Sequence, residues 1–473
     1  MRIPVWVDGN LEYQESVESL QLLVPNRDNC NCIQARRAVL HMGWTCSYNC
    51  VFCYGQNSRK EEFRTYDSMV EELHSLYDYG IRDIEFSGGE PTQYKQLPQL
   101  IEQAVRIGYR RIGIITNGSK LCNLKYFKML QSVGLNEVLF SVHGYDEESH
   151  DKITGKVGSW KALTKSISNA VKLNCFLRVN TTICKFNAGH LKDHAQMILS
   201  LADGHLKCVN YLPLNYWDDA IDSDRLDVNP QEYCTDLEEA IATLESAGIQ
   251  WIAIRYAPFC AFPKLTRYIV GQYQHIYDPF DWNREAYITQ SFDLSYPYGY
   301  FAYEACANTR KALYTKAPAC ALCKYVFLCD GLENQLVEHG VRPVKGEPIL
   351  DVMAEHQGGD NSKAYADLFD EPVLVKVAEQ FSIYPGGRIP SDGPNSGEEL
   401  RERLLVPALQ TGKKVIVDLD GTLGYAHSFL EEAFGGLVRH QHFTYDYLSH
   451  RLSIKSEHND NIVFIWSAMY HAQ

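Results

Sequence analysis

The sequence predicts an α/β protein built on a parallel sheet, and three observations carry that reading. Short apolar runs centred near residues 40, 84, 112, 138, 177, 208 and 251 have the length and composition of buried strands. Segments 66–79, 97–107 and 160–173 instead place apolar residues at helical spacing; Met69, Val70, Leu73, Leu76 and Tyr77 form one such stripe. Several strands also turn polar at the same end: Ile84-Glu-Phe-Ser-Gly88-Gly89-Glu90-Pro91-Thr92, Ile112-Gly-Ile-Ile-Thr116-Asn117-Gly118, Val138-Leu-Phe-Ser141-Val-His143-Gly144 and Phe176-Leu-Arg178-Val-Asn180-Thr-Thr182. Alternating strands and helices imply parallel pairing, in a partial barrel or a doubly wound sheet, and both bind ligands at the C-terminal strand ends.

Just after the first strand stands Cys46-Ser-Tyr-Asn-Cys50-Val-Phe-Cys53-Tyr54. Three thiolates at this spacing can wrap one short loop around three irons of a [4Fe-4S] cube and leave the fourth iron open. A structural zinc site is the alternative, but zinc knuckles mostly pair CxxC with a second pair, and the loop itself holds no histidine. Further on, Gly88 and Gly89 let a backbone approach a ligand closely, and the Glu90 carboxylate can accept hydrogen bonds from an ammonium group. A carboxylate directly after two glycines has little structural work to do, which directs Glu90 toward a ligand. For Ser141 or Thr182 taken alone, a solvated loop position is equally open.

In this order the cysteine loop, the Gly-Gly-Glu-Pro turn, the Thr-Asn-Gly turn and the Ser-Val-His-Gly-Tyr-Asp stretch resemble the radical S-adenosylmethionine superfamily over residues 38–255. The resemblance implies a partial (β/α)6 TIM-type barrel. It implies that Cys46, Cys50 and Cys53 hold the cluster, that the backbone at Phe52 flanks the adenine of S-adenosylmethionine, and that Gly88, Gly89 and Glu90 hold the methionine amine. Asn117, Ser141, Arg178 and Asn180 fall at positions where the family contacts the ribose or the methionine carboxylate. The reacting side chains beyond these cofactor contacts are unknown.

A second cysteine system follows in Cys320-Ala-Leu-Cys323-Lys-Tyr-Val-Phe-Leu-Cys329, with Cys260 upstream at the end of the last strand. Four thiolates can close an auxiliary [4Fe-4S] cluster, and a zinc ribbon can use the same four. This region resembles a SPASM or twitch extension of the kind with one cluster, and Cys306 is the alternative to Cys260 as fourth ligand. Of the remaining cysteines most sit in apolar contexts and read as buried thiols, whereas Cys30 and Cys32 lie in a polar stretch.

Fifteen cysteines, with no export signal in Met1-Arg-Ile-Pro-Val-Trp-Val, point to the cytoplasm. No apolar run is long enough to cross a bilayer, so no membrane role is expected. A net charge of -14 disfavours nucleic acid as the main partner. The chain divides into an N-terminal extension (1–37), the barrel (38–255), the auxiliary-cluster region (256–345), a polar connector (346–372) and a small α/β domain (373–473).

That last domain contains Lys414-Val-Ile-Val-Asp418-Leu-Asp420-Gly421-Thr422-Leu423, which matches the signature of haloacid-dehalogenase phosphatases, in which the first Asp attacks phosphate. Too little sequence follows to supply that fold's lysine and metal-binding carboxylates, so the match is expected to be a decoy. The region better resembles a STAS-like domain, expected to act in self-association or in binding a protein partner. Ser428 with Glu431 has the form of an N-terminal capping box, and Phe429, Leu430, Phe434 and Leu437 are spaced to bury one helix face.

The function that follows is hydrogen-atom abstraction by a 5′-deoxyadenosyl radical from a peptide or protein, with flavodoxin or ferredoxin as electron donor. A small molecule, such as a sugar, nucleoside or amino-acid derivative, is the alternative substrate. The segment before Cys46 is too short for the winged-helix leader-binding domain of many peptide-modifying relatives, which weighs against a peptide. An iron-sulfur redox regulator signalling through the STAS-like module is the reading of another class, and the intact Gly-Gly-Glu-Pro turn argues against it.

Overall fold

The fold is that of a computed structural model, in which residues 37–53, 63–214, 226–249, 251–270 and 372–472 are described, with the backbone of four short strands and a few isolated residues elsewhere. Cys30, Cys32 and Cys306 lie outside the described residues. An antiparallel hairpin of β1 (Ile3–Val7) and β2 (Asn10–Gln14) precedes the main sheet.

Eight parallel strands follow one another in chain order: β3 (Arg37–His41), β4 (Asp83–Ser87), β5 (Arg111–Thr116), β6 (Glu137–Ser141), β7 (Phe176–Ile183), β8 (Leu206–Pro213), β9 (Trp251–Arg255) and β10 (Ile269–Val270). They curl into a half-barrel, a partial TIM-type barrel. All seven expected strands are present. The eighth, β10, is two residues long and carries the sheet past the expected boundary at 255.

Helices α1 (Tyr66–Tyr79), α2 (Leu97–Ile107), α3 (Leu124–Ser132), α4 (Glu147–Thr154), α5 (Ser159–Lys172), α6 (Leu191–Ala202) and α7 (Pro230–Ser246) cover the outside. Their ends follow local chemistry. Helix α1 begins where the Thr65 side chain accepts the Ser68 N–H and stops at Gly80, which takes a φ of 116°. Its Met69, Leu73 and Leu76 pack into the core, as the helical stripe predicts.

Inward-facing residues at the N-terminal ends of the strands form a buried ionic floor. Arg37 Nη1 lies 2.9 Å from Glu85 Oε1, and Arg37 also makes two 3.1 Å bonds to Glu137. Arg178 Nε stands 2.5 Å from Glu137 Oε1 and also pairs with Glu85, while Arg111 pairs with Glu137. Burial raises the Glu137 carboxyl, and Arg111 and Arg37 more than reverse it, holding the group below the ordinary carboxylate range. Phe280 lies under the guanidinium groups of Arg178 (5.0 Å), Arg111 (5.2 Å) and Arg37 (5.8 Å), and Trp282 Nε1 donates to Glu85 Oε2 at 3.3 Å. The floor is closed from below by these two aromatic residues.

A further hairpin pairs β11 (Tyr314–Thr315) with β12 (Leu332–Glu333). The C-terminal domain has its own three-stranded parallel sheet, β13 (Val373–Lys376), β14 (Val415–Asp418) and β15 (Leu452–Lys455), with β14 central. Phe429, Leu430, Phe434 and Leu437 are fully buried, as their spacing predicts. Ser428 is not a cap, however. The helix starts after Ala426, Ser428 is exposed inside its first turn, and Glu431 pairs instead with Arg439 and with Arg388 at 3.0 Å. The capping box in this domain is Ser396 with Glu399, whose side chains bond each other's backbone N–H.

The domain is seated on the barrel rather than tethered to it. Helix α8 (Tyr445–Arg451) lies against α2, Thr444 N donates to Ser132 O at 3.2 Å, and the buried Arg451 guanidinium donates to Tyr109 O. One continuous apolar cluster runs from the barrel into this domain, and the contacts lie beside the N-terminal ends of β5 and β6, next to the ionic floor.

Candidate active site at the cysteine loop

The cysteine loop is anchored on both sides by backbone hydrogen bonds. On one side Met42 N donates to Ser87 O (2.9 Å), Gly89 N to Gly43 O (2.7 Å) and Glu90 N to Thr45 O (2.8 Å), so the turn after β4 pairs with the residues just ahead of Cys46. This contact requires both glycines. Gly88 has a φ of 129°, and a Cβ there would stand 2.3 Å from Gly43 O; one at Gly89 would stand 2.2 Å from Thr45 O. On the other side Asn49 N donates to Thr154 O and Val51 N to Ile153 O, both at 2.9 Å, fastening the loop to the end of α4.

Cys46, Cys50 and Cys53 form no disulfide, and each is partly exposed. The Cys46 sulfur accepts Tyr48 N–H at 3.4 Å and the Asn117 side-chain amide at 3.8 Å. Among the described residues no three His, Cys, Asp or Glu side chains converge on a single metal ion. An iron-sulfur cube asks for something different, because each thiolate sits on its own iron. Three cysteines outside any disulfide on a backbone-anchored loop, one receiving N–H donors, fit that demand.

Glu90 corrects the sequence expectation. It is fully buried and has structural work to do: Oε1 accepts Thr92 N (3.1 Å), Thr92 Oγ1 (2.5 Å) and Thr116 Oγ1 (2.7 Å), and Oε2 accepts Asn117 N (2.9 Å). Burial raises its pKa and the four donors oppose that rise. The carboxylate therefore ties the turn after β4 to the turn after β5. Its Oε2, with one protein donor, retains room for an ammonium group.

Arg178 is a second correction. It lies in the third position of β7, is 1% exposed, and is consumed by Glu85 and Glu137 in the floor, two residues below the strand's polar upper end. Asn180 is aligned across the sheet with Ser141 on β6 and Asn210 on β8, giving a polar row. The Asn180 side-chain oxygen is buried without a hydrogen-bond partner among the described residues. Sequence reasoning missed Asn210, although a polar residue inside the apolar run Val209-Asn210-Tyr211 was a signal. It also missed His143, whose ring meets Phe52 edge-on at 4.7 Å and accepts Thr182 N at 3.1 Å.

Cys260 sits close to Cys329, Cys323 and Cys320. Burial pushes its thiol up, and those three neighbours push it further. Phe259 stacks on Tyr325 at 4.3 Å, joining the end of β9 to the Cys320–Cys329 segment.

Residues 42–198 match the Radical SAM superfamily, a span that takes in the cysteine loop, the glycine turn, the Thr-Asn-Gly turn and the polar row on β6 and β7. The chain carries a radical SAM domain. Residues 396–461 match a STAS-like domain of unknown function. Among curated relatives, a probable GTP 3',8-cyclase of Sulfurisphaera tokodaii is 26% identical over 36% of this chain and 54% of its own length. An Fe-coproporphyrin III synthase of Methanosarcina barkeri is 35% identical over 32% of this chain and 37% of its own. The chain thus spans about half the length of the first of these and little more than a third of the second. Streptococcus suis SuiB bound to precursor peptide SuiA aligns with a TM-score of 0.47 at 13% identity, covering 74% of this chain and 83% of that one. Radical SAM domains work with a [4Fe-4S] cluster and S-adenosylmethionine.

Proposed function

We propose that this protein is a radical SAM enzyme that cleaves S-adenosylmethionine reductively and abstracts hydrogen from a substrate bound above the barrel. The observation that carries it is the anchored loop of Cys46, Cys50 and Cys53 beside the Gly88-Gly89-Glu90 turn. When bound, the cluster and cosubstrate supply a one-electron cleavage of the sulfonium and a carbon radical that takes the hydrogen. The chain's own part is to hold and orient. Glu90 Oε2 and the backbone at Gly88 and Gly89 receive the methionine amine, the Phe52 backbone borders the adenine, and Ser141, Asn180 and Asn210 offer hydrogen bonds to ribose or carboxylate. Cys260, Cys320, Cys323 and Cys329 would hold an auxiliary [4Fe-4S] cluster, which would supply an electron or a wall of the substrate pocket.

A small-molecule substrate is favoured over a peptide, because the relatives that share this domain are named for a nucleotide cyclase and a porphyrin synthase. A flavodoxin or ferredoxin supplies the electron. Anaerobically reconstituted protein is expected to bind about eight irons and about eight sulfides, and to form 5′-deoxyadenosine slowly when reduced without substrate. Alanine at Cys46, Cys50 and Cys53 together should leave one cluster and no cleavage. Full iron content in that variant refutes the assignment. Incubation with nucleotide, porphyrin and peptide pools then separates the substrate classes by which one accelerates cleavage.

A further inference from the structure

We propose that Asn117 is a positioning residue that sets the reduction potential of the cluster at the cysteine loop, by donating its side-chain N–H to the Cys46 sulfur. The inference deepens the reading of Cys46 as a cluster ligand and rests on it. Three contacts fix the amide. Its backbone N–H is held by Glu90 Oε2 at 2.9 Å, its Oδ1 accepts Ser119 N at 2.9 Å, and its Nδ2 stands 3.8 Å from Cys46 Sγ. The Ser119 bond decides which end faces the sulfur. A flipped amide would set NH2 against a backbone N–H, so the donor end must point at Cys46. Sulfur's larger radius makes this separation a hydrogen bond where the same length to oxygen would not be.

A donor aimed at a thiolate ligand stabilises the more negative, reduced cluster and so raises its potential. The loop cannot slide away from the donor. Cys46 directly follows Thr45 and lies three residues after Gly43, whose carbonyls are bonded by Glu90 N and Gly89 N respectively, and Glu90 in turn holds Asn117. Donor and acceptor are thus fixed to one rigid turn. The geometry also joins the carboxylate assigned to the cosubstrate amine to the cluster sulfur through a single residue.

The test is a redox titration of the reconstituted full-length protein, followed by the electron paramagnetic resonance of the reduced cluster, with iron content measured alongside. Asn117→Ala removes the donor and is expected to shift the midpoint negative at unchanged iron content. Asn117→Asp removes the donor and adds a charge, and is expected to shift it further. Equal potentials in all three proteins, or equal shifts in both variants, overturn the proposal in favour of a purely structural residue. A measurement on the unmutated protein covers the case in which neither variant holds a cluster. With side-chain 15N-labelled asparagine, pulsed resonance of the reduced cluster should show a coupled nitrogen, and its absence overturns the proposal. Failure of the underlying assignment looks different, since the triple cysteine variant would then keep all its iron.

Discussion

Replacing Glu90 by glutamine separates two roles the structure gives one carboxylate. The substitution keeps the side-chain shape and removes the charge. Oε1 accepts a backbone N–H from Thr92, and Oε2 accepts one from Asn117. Whichever way the new amide is turned, its NH2 end faces one of these two N–H groups, and neither can reverse its direction as the hydroxyls of Thr92 and Thr116 can. One buried donor is left facing a donor, at a cost of about 1–3 kcal/mol. Burial already disfavours the charge at this position, so loss of that penalty offsets part of the cost and sets the expectation toward the lower half of the range. Cosubstrate-free Glu90→Gln should therefore unfold at lower temperature or denaturant than the parent, and should also bind S-adenosylmethionine more weakly, since an amide offers the ammonium no full charge. Thermal or denaturant unfolding without ligand, paired with equilibrium binding, reads both. An unchanged unfolding midpoint alongside collapsed affinity refutes the reasoning and returns Glu90 to a purely ligand-facing role.

Buried histidines predict a pH dependence. His150 and His194 are held at a pKa of about 4 by burial, against an ordinary value of 6.5. The fold keeps them neutral while the unfolded chain takes up protons, so stability is flat above pH 6.5 and falls from there toward pH 4, by on the order of 2 kcal/mol for each residue at pH 5. Unfolding midpoints at pH 7, 6 and 5 should decline in the parent and decline less steeply in the His150→Gln, His194→Gln double variant, in which His41 and His143, also lowered by burial, still contribute; equal slopes in the two proteins would contradict it. Arg178→Met leaves Glu85 and Glu137 short of one cation in a buried site, at a cost of about 3–5 kcal/mol. The surviving folded protein is expected to bind S-adenosylmethionine normally, and a stable variant with lost binding would restore the cofactor contact that the family resemblance implied. Cys260→Ala should remove the auxiliary cluster while leaving the other, and zinc found at that site by elemental analysis would refute the iron assignment.

The barrel was legible in the sequence because its elements are long and periodic. Residues 66–79 and 97–107 read as helices from apolar spacing alone, and both form at those limits. The cysteine loop was legible for another reason, since its chemistry is carried by contiguous residues. What stayed hidden depends on register. Arg178 and Asn180 share one face of one strand and look alike in sequence, yet only the pairing of β7 with β6 and the reach of β4 place Arg178 between two carboxylates. Glu90 was misjudged because its donors, Thr116 and Asn117, come from the next strand's turn. Ser428 matched a capping pattern that the helix start at His427 bypasses. Phe280 and Trp282 follow the last barrel strand in the chain, and nothing local marks them as the floor beneath the first ones.

The polar residues of the strands serve different ends according to height in the barrel. Near the N-terminal ends, Arg37, Glu85, Arg111, Glu137 and Arg178 are engaged with one another, and the aromatic pair beneath and the docked C-terminal domain beside them close that end. Two residues higher on β7, the Asn180 oxygen is buried with no partner among the described residues, in line with Ser141 and Asn210. Leaving a buried acceptor open costs stability unless a ligand supplies the donor. Ligands must then enter from the face where the cysteine loop lies. On that face the backbone contact of the two glycines after β4 with Gly43 and Thr45 fixes where the cysteine loop begins. A closed, charge-paired floor gives this arrangement a rigid base. The loop that holds the thiols can then be irregular without being loose, because its backbone is bonded to the turn after β4 on one side and to the end of α4 on the other.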